Sequence, residues 1–342
     1  MKNRVIFVVG TRPEIIKVAP IANKIPSIIL FTGQHFDTNM SDDFFELLDV
    51  EEFINLNLNE KNNLSVREMA NSIANEVKKI DSEKIIVQGD TNSTLAGAIA
   101  AKFQRKKLFF IESGMRSGDL MQIEEFNRIL ISHLSDINFC NHENNKINLI
   151  NENIQNEKIK ITGSTVYSSL KLASKKKKNL NKFKNYILLT LHRPENVDND
   201  IKLNNILDSI EKLESKVVFP IHPRTRKKLN SLKFKNIELI EPQNYFSFIE
   251  LMENSIFIIS DSGGVQEEAA ILRKPLIIPR DYTERPEMLG KFNLLAKNTK
   301  ELFEESKKIL DSSSLLCPSI KNSKLLYGED DPINKIIDCI NK

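Results

Sequence analysis

The chain has few cysteines, little net charge and no long apolar run, and each shortage argues against a class of protein. Its cysteines, Cys140, Cys317 and Cys339, are too few and too widely spaced for a disulfide framework or a zinc cluster. Its 49 Lys and Arg nearly balance its 46 Asp and Glu, so the net charge is only +3. Nucleic-acid-binding proteins carry a larger basic excess, and we expect no nucleic-acid partner.

Apolar segments are too short for a membrane span or a secretory leader. The first apolar run has about five residues before Gly10 and Thr11, which is far short of the core of a signal peptide. No later segment approaches the roughly 18 consecutive apolar residues of a membrane-spanning helix. We therefore expect a cytoplasmic protein with no membrane partner. A chain of 342 residues with 40% hydrophobic composition favours a globular protein with two domains.

Short β-branched runs alternate with longer amphipathic segments along the whole chain. This alternation is typical of parallel strands joined by crossover helices. The strands are predicted at residues 5–9, 28–31, 84–87, 108–111, 137–140, 186–190, 217–220, 237–240, 256–260 and 275–278. Between about residues 165 and 185 the composition shifts to Ser and Lys, which indicates a domain junction. The fold class is therefore α/β, with two doubly wound domains.

Charged side chains in the first half follow predicted strands. Ligands of open α/β sheets bind beyond the carboxyl ends of the strands. The segment GTRPE follows the first strand, GDTNST places Asp90 after another, and ESGMR places Glu112 after a third, with Glu125 in EEFNR shortly beyond. A lone Asp in such a loop can equally be a helix N-cap. The repeated placement of acids at strand ends favours a ligand site.

Two segments of the second half carry chemistry. His192 follows the first strand there, although a single His is often a packed or surface residue. The segment SDSGGVQEEA places Ser-Gly-Gly at a helix start, where exposed backbone N–H groups can receive phosphate oxygens. It lacks the lysine and serine of a P-loop, which argues against an ATPase, and a tight turn without a ligand is the alternative. The later segment RDYTERPE adds cations after another strand.

Eight segments along the chain carry a combined signal: GTRPE, TGQHFD, GDT, ESGMRSG, EEFNR, LHRPEN, SDSGGVQEEA and RDYTERPE. Their order resembles that of the non-hydrolysing UDP-N-acetylglucosamine 2-epimerases. The resemblance covers nearly the whole chain. It implies a GT-B-like fold, in which two Rossmann-like doubly wound domains face a central cleft. The expected limits are 1–168 for the first domain, on the sugar side, and 185–322 for the UDP-binding domain. A helix within 323–342 is expected to cross back to the first domain, and Asp331 followed by Pro332 predicts its start.

The resemblance also implies roles for individual residues. The expected catalytic residues are Asp90, Glu112, Glu125 and His192. The residues expected to bind substrate or UDP are Arg12, Lys17, Arg116, Arg193, Ser262, Gly263, Gly264, Glu268 and Arg285. Of these, the segment from Ser262 to Gly264 would hold the diphosphate and Glu268 the ribose hydroxyls. Gln34 and His35 match a second, activating UDP-GlcNAc site of bacterial relatives. No cofactor and no metal are implied, and a homodimer is expected.

The implied reaction is reversible epimerisation at C2 of UDP-N-acetylglucosamine to UDP-N-acetylmannosamine, through loss of UDP, a 2-acetamidoglucal and re-addition. The C2 hydrogen has no adjacent carbonyl, which makes direct deprotonation unattractive. Four alternatives stay open: a UDP-2,3-diacetamido-uronic acid 2-epimerase, a GT-B glycosyltransferase, a nucleotide-sugar sensor and a hydrolysing epimerase. The segments TGQHFDTNMSDDFFELL and FPIHPRTRKKL resemble the uronate branch, whereas the loop at 283–287 resembles the GlcNAc branch.

Overall fold

The protein is described from a computed structural model. The described residues are 4–33, 45, 48–58, 64–175, 182–221, 223–229, 233–283, 285–290, 292–311 and 331–342. The chain divides into two compact units, Met1–Ser169 together with Tyr327–Lys342, and Leu170–Leu326. The domain limits expected from the sequence stay a prediction.

Within the described residues, the first unit contains a parallel sheet of seven strands in the order β3-β2-β1-β4-β5-β6-β7. The strands are β1 (Val5–Val9), β2 (Ser27–Phe31), β3 (Phe53–Asn55), β4 (Lys84–Gln88), β5 (Lys107–Ile111), β6 (Ile137–Cys140) and β7 (Ile159–Ile161). The helices described from residue 4 to residue 175 are α1 (Arg12–Ala22), α2 (Val66–Val77), α3 (Asn92–Phe103), α4 (Ile123–Leu134), α5 (Glu143–Asn151) and α6 (Val166–Lys175). Parallel strands are covered on both faces, which explains why β1 is apolar and buried at every position.

The second unit contains, in its described part, a parallel sheet of six strands in the order β10-β9-β8-β11-β12-β13. The strands are β8 (Ile187–Thr190), β9 (Val217–Pro220), β10 (Ile237–Ile240), β11 (Ile258–Ser260), β12 (Leu276–Ile278) and β13 (Asn293–Leu295). Its described helices are α7 (Pro194–Val197), α8 (Asp200–Glu211), α9 (Pro223–Leu229), α10 (Tyr245–Asn254), α11 (Gly263–Ile271) and α12 (Thr299–Asp311). Two parallel sheets flanked by helices confirm the prediction of two Rossmann-like domains.

The last helix, α13 (Pro332–Asn341), belongs to the first unit. The side chain of Asp331 caps it by accepting a hydrogen bond from the backbone N–H of Ile333 at 3.0 Å, so the predicted start is confirmed. Ile333, Ile336 and Ile340 are buried at helical spacing. No helix in the described part of the chain is long and apolar enough to cross a membrane.

Each sheet has one position where the strand order reverses. In the first sheet the position lies between β1 and β4, and in the second it lies between β8 and β11. Loops at such a position leave the sheet in opposite directions and open a crevice beyond the carboxyl ends of the strands. Ligand-binding residues are therefore expected directly after these four strands.

Candidate active site

Glu112 directly follows β5, next to the reversal of the first sheet. Its side chain is only 4% exposed, and its Oε2 lies 2.5 Å from Nζ of Lys17 on α1. The register pairs Gln88 with Ile111, which places the Gln88 amide beside Glu112, and Gln88 Nε2 donates to the same Oε2. Glu112 also has a backbone φ of +69°, a conformation that residues other than glycine rarely adopt. Strained backbone and a buried ion pair together fix this carboxylate.

Asp90 follows β4 and does not act as the N-cap of α3. Thr91 has that role, because its side chain accepts a hydrogen bond from the backbone N–H of Thr94 at 3.2 Å. Oδ2 of Asp90 instead accepts hydrogen bonds from Nε and Nη2 of Arg128, at 3.0 and 2.5 Å. The Asp90 side chain remains 30% exposed, so it is accessible.

Glu125, on the first turn of α4, is 1% exposed. Its Oε1 accepts the backbone N–H groups of Ser117 and Gly118, both at 2.9 Å, and its Oε2 pairs with Arg128 Nη1 at 2.8 Å. Burial by itself would raise the pKa of Glu125, but the two backbone N–H groups and Arg128 outweigh it and hold the pKa below its usual value. One oxygen therefore holds the 117–118 loop and the other holds Arg128, whereas the neighbouring Glu124 is exposed.

Glu14 is a buried acid that sequence reasoning missed. It is 3% exposed, and its Oε2 accepts the backbone N–H groups of Gly10 at 2.5 Å and Thr11 at 3.2 Å. Burial raises the pKa of Glu14 to about 7, although the hydrogen bond from the Gly10 N–H opposes the shift, and the charge of Asp90 raises it further. Thr11 and Glu14 form a capping box at the start of α1. That pattern is readable in GTRPE and is the signal that identifies Glu14.

The two arginines predicted in the first unit are placed differently. Arg12 begins α1 and is exposed. Arg116 forms a two-pronged pair with Glu152, with both N–O distances 2.7 Å, and its side chain is 10% exposed. Arg116 also donates to the backbone carbonyl of Met115 at 2.7 Å. It therefore ties its loop to the segment after α5.

His192 lies two residues beyond β8, and its partner Asp261 directly follows β11. The register pairs Thr190 with Ser260, which brings the two loops together. His192 Nδ1 lies 2.9 Å from Asp261 Oδ1, and the His192 side chain is 46% exposed while Asp261 is fully buried. Burial would raise the pKa of Asp261, but the hydrogen bond and charge of His192, together with other donors, hold it below the usual value. Sequence reasoning singled out His192 and missed Asp261.

The segment Ser262 to Gly264 starts α11, as predicted. Ser262 is the N-cap residue, yet its side chain makes no capping hydrogen bond. A Cβ built on Gly264 would meet only the Ser262 hydroxyl, at 3.9 Å, and Gly264 does not need a positive φ. Packing and backbone conformation therefore do not demand glycine at this position. A ligand that approaches the backbone closely would explain it, and helix N-termini favour phosphate groups.

The remaining predicted residues of the second unit have defined partners. Arg285 is buried and its Nη2 pairs with Glu267 Oε2 at 2.9 Å. Glu268 lies on α11 beside Tyr245, where burial and the Glu268 charge raise the pKa of the tyrosine well above its usual value. Arg193 donates its backbone N–H to Asp261 Oδ2 at 3.1 Å.

Two predictions cannot be compared with the structure, because Gln34 and His35 lie outside the described residues. The activating site therefore stays a prediction. In the described part of the chain, no group of three or more His, Cys, Asp or Glu side chains is arranged to hold a metal ion.

Comparison with known proteins gives the family. Residues 20–341 match the family model described as UDP-N-acetylglucosamine 2-epimerase. The chain belongs to this family. A UDP-N-acetylglucosamine 2-epimerase of Methanococcus maripaludis is 39% identical over 322 residues, which cover 86% of this chain and 88% of the relative. A UDP-2,3-diacetamido-2,3-dideoxy-D-glucuronate 2-epimerase of Pseudomonas aeruginosa is 32% identical and covers 99% of both chains.

Solved structures give the same result. The Methanocaldococcus jannaschii UDP-GlcNAc 2-epimerase in complex with UDP-GlcNAc and UDP superposes with a TM-score of 0.83 at 36% identity, covering 100% of this chain and 99% of that one. Together with the two parallel sheets, this likeness confirms the predicted GT-B-like fold class.

Proposed function

We propose that this protein is a UDP-N-acetylglucosamine 2-epimerase that interconverts UDP-GlcNAc and UDP-ManNAc without releasing free sugar. Family membership and the UDP-GlcNAc and UDP held by the M. jannaschii structure support the substrate. A cytoplasmic location is part of this proposal, as expected from the sequence.

The proposed reaction is an elimination followed by re-addition. A base removes the C2 proton, the C1–O bond breaks, and UDP leaves with the electron pair, so that a C1–C2 double bond forms. UDP then attacks C1 again while a proton is delivered to the opposite face of C2. The chemistry needs acids and bases beside the sugar and positive dipoles beside the diphosphate, where charge develops.

The observation that carries the proposal is the pairing of Glu112 with Lys17. Burying a carboxylate that is only 4% exposed is costly without a partner, and the Lys17 ammonium 2.5 Å from Glu112 supplies the cation that offsets this cost. Asp90, held by Arg128 and 30% exposed, is a second acidic side chain, placed after the adjacent strand β4. In the second unit, the start of α11 is suited to the departing diphosphate.

Proton NMR in heavy water tests the reaction. The protein should convert UDP-GlcNAc into a mixture with UDP-ManNAc, and deuterium should replace hydrogen at C2 of both sugars. Glu112→Gln should abolish label entry along with conversion. Conversion without deuterium at C2 would overturn the elimination mechanism, and release of free ManNAc would favour a hydrolysing enzyme.

The sugar is proposed to be plain GlcNAc rather than a diacetamido uronate. A 6-carboxylate in a buried site needs its own cation. Arg285, a candidate in the loop that follows β12, is already paired with the buried Glu267. The pairing leaves less net positive charge for a second carboxylate.

A homodimer is proposed as the assembly. Leu120 and Met121 are 68% and 93% exposed, and they precede α4, whose exposed apolar residues Ile123, Phe126 and Leu130 share one helical face. Large exposed apolar residues grouped in this way are typical of protein interfaces. Light scattering should give about twice the 39.2 kDa chain mass. Phe126→Lys should halve that mass, whereas Ile201→Lys, at a 74% exposed position of the second unit, should not.

A further inference from the structure

The buried carboxylate of Asp261 accepts hydrogen bonds from several donor groups of one neighbouring segment. It accepts hydrogen bonds from His192 Nδ1 at 2.9 Å, from the backbone N–H of His192 at 3.1 Å to Oδ1, and from the backbone N–H of Arg193 at 3.1 Å. Asn196 Nδ2 donates to it at 3.0 Å and also to the backbone carbonyl of Pro279 at 3.0 Å. The first three of these bonds connect Asp261 to the segment between β8 and α7, and the bond from Asn196 connects it to α7 itself.

We infer that Asp261 is a positioning residue that fixes the tautomer and the orientation of the His192 ring, so that His192 exchanges protons through Nε2 alone. The inference rests on the proposed function in taking His192 as a reacting group. The geometry itself does not depend on which substrate is bound.

Asp261 is a carboxylate, because its donors hold its pKa below the usual value. A carboxylate accepts hydrogen bonds and does not donate them, so His192 Nδ1 must carry the hydrogen of the 2.9 Å bond. A neutral imidazole then has its lone pair on Nε2. The other donors hold Asp261 in place and are independent of His192 protonation, because they are backbone and amide N–H groups.

The two side chains of the pair differ in exposure, so only one of them can contact a ligand. Asp261 is fully buried and the His192 side chain is 46% exposed. The carboxylate therefore cannot reach a ligand, whereas the ring can. A fixed carboxylate also stabilises the imidazolium that forms when Nε2 accepts a proton. Asp261 thus acts on a substrate only through His192.

A purely structural role would be to hold the 192–193 backbone against β11. The two roles differ in what they do to the ring: a structural tie leaves the tautomer free, whereas a positioning residue sets it. The chain has five histidines, so the resonances of His192 can be assigned by their loss in His192→Gln.

The first experiment is two-bond 15N–1H NMR of histidine-labelled full-length protein, at a pH where His192 is neutral. We expect His192 to show a protonated Nδ1 and an unprotonated Nε2. In Asp261→Asn this preference should be lost. Thr190→Val is the matched control, because it removes the 2.7 Å hydroxyl contact between Thr190 and Ser260 on the same two strands without touching Asp261. The control should keep the wild-type tautomer. A wild-type ring protonated on Nε2 would overturn the inference, even if no variant folds.

The second experiment is a double-mutant cycle on turnover of UDP-GlcNAc. Asp261→Asn should lower kcat by roughly tenfold or more, with the Kd of UDP changed less than about twofold. The double variant with His192→Gln should be no slower than His192→Gln alone, because both changes remove the same function. Independent, multiplying losses would show that Asp261 does not act through His192. If the protein does not turn over UDP-GlcNAc at all, the proposed function fails while the tautomer measurement still decides the inference.

Discussion

Lys17 and Glu112 form a nearly buried ion pair that connects α1 to the end of β5. Their Nζ and Oε2 atoms lie 2.5 Å apart, and the side chains are 14% and 4% exposed. Gln88 donates to the same oxygen. The proposed base therefore contacts one group on α1 and one at the end of β4, and removing either member of the Lys17–Glu112 pair leaves an uncompensated charge in a poorly hydrated position.

The first prediction concerns this pair. Lys17→Met keeps the length of the side chain and removes its charge. We expect the free energy of unfolding to fall by about 3 kcal/mol and turnover to be lost, because Glu112 stays buried without its cation. Urea denaturation and a coupled activity measurement provide the test. Lys24→Met is the matched control, since Lys24 pairs with Asp331 at 46% and 37% exposure and should contribute less than about 1 kcal/mol. Equal effects of the two changes would contradict the prediction.

Glu125 and Glu124 provide a second test. Glu125→Gln replaces one carboxylate oxygen with an NH₂ group that cannot accept the N–H groups of Ser117 and Gly118 or the Arg128 hydrogen bond. We expect stability and turnover to fall together. Glu124→Gln, at an exposed position, should leave stability within about 0.5 kcal/mol of the wild type. If Glu125→Gln keeps full stability and loses only kcat, Glu125 transfers a proton instead of holding the loop.

The strands near the centre of each sheet were predictable from sequence because both of their faces are buried. The predicted ranges 5–9 and 217–220 coincide with β1 and β9. The strands β3, β7 and β13 were missed. Each has only three residues at the edge of a sheet, and β3 and β7 are largely not buried, so no apolar run marks them.

The strand-end positions of Asp90, Glu112 and His192 were also predictable, but their partners were not. Lys17 lies 95 residues from Glu112, Arg128 lies 38 from Asp90, and Asp261 lies 69 from the histidine that it holds. Such pairs depend on which strands are neighbours, and a sequence pattern does not specify strand order. The catalytic and binding roles themselves stay predictions.

A third prediction follows from the raised pKa of Glu14. The folded protein binds this proton more tightly than the unfolded chain, whose glutamates titrate near 4.5, so stability falls as the pH rises towards about 7. Between about pH 5 and pH 8 the loss is about 2 to 3 kcal/mol. Glu14→Gln should remove this part of the pH dependence in chemical denaturation.

The matched control for Glu14 is Glu68→Gln. Glu68 has the same capping-box position on α2, but it is exposed, and hydrogen bonds from Ser65 lower its pKa. This variant should keep the loss of stability between about pH 5 and pH 8. Parallel pH profiles for the wild type and Glu14→Gln would show that Glu14 is already ionised in the folded state.

The start of α11 gives a fourth prediction, in which stability and affinity change in opposite directions. Gly264→Ala finds room for its methyl group and improves helix propensity, so the protein should be up to about 0.5 to 1 kcal/mol more stable. The methyl group should weaken UDP binding about tenfold by blocking approach to the backbone N–H groups. Ser262→Ala should cost little stability, because the hydroxyl makes no capping bond, and should also weaken UDP binding. Calorimetric titration with UDP that gives wild-type affinity for both variants would place the diphosphate elsewhere.

The last prediction concerns the sugar. The loop after β12 contains two buried arginines, and both have acidic partners: Arg285 pairs with Glu267 at 2.9 Å, and Arg280 lies 3.5 Å from Glu195. A uronate would bring a further carboxylate without a matching excess of positive charge. The free energy of desolvating that carboxylate would then exceed its attraction to the local cations. We therefore expect kcat/KM for UDP-GlcNAc to exceed that for the 2,3-diacetamido uronate.

Both substrates should be measured on one sample, because the ratio of the two kcat/KM values does not depend on the folded fraction. In Arg285→Met the ratio should stay within about threefold of the wild type, whereas selective loss of uronate turnover would make Arg285 its carboxylate partner. A wild-type preference for the uronate of tenfold or more, about 1.4 kcal/mol, would reassign the substrate.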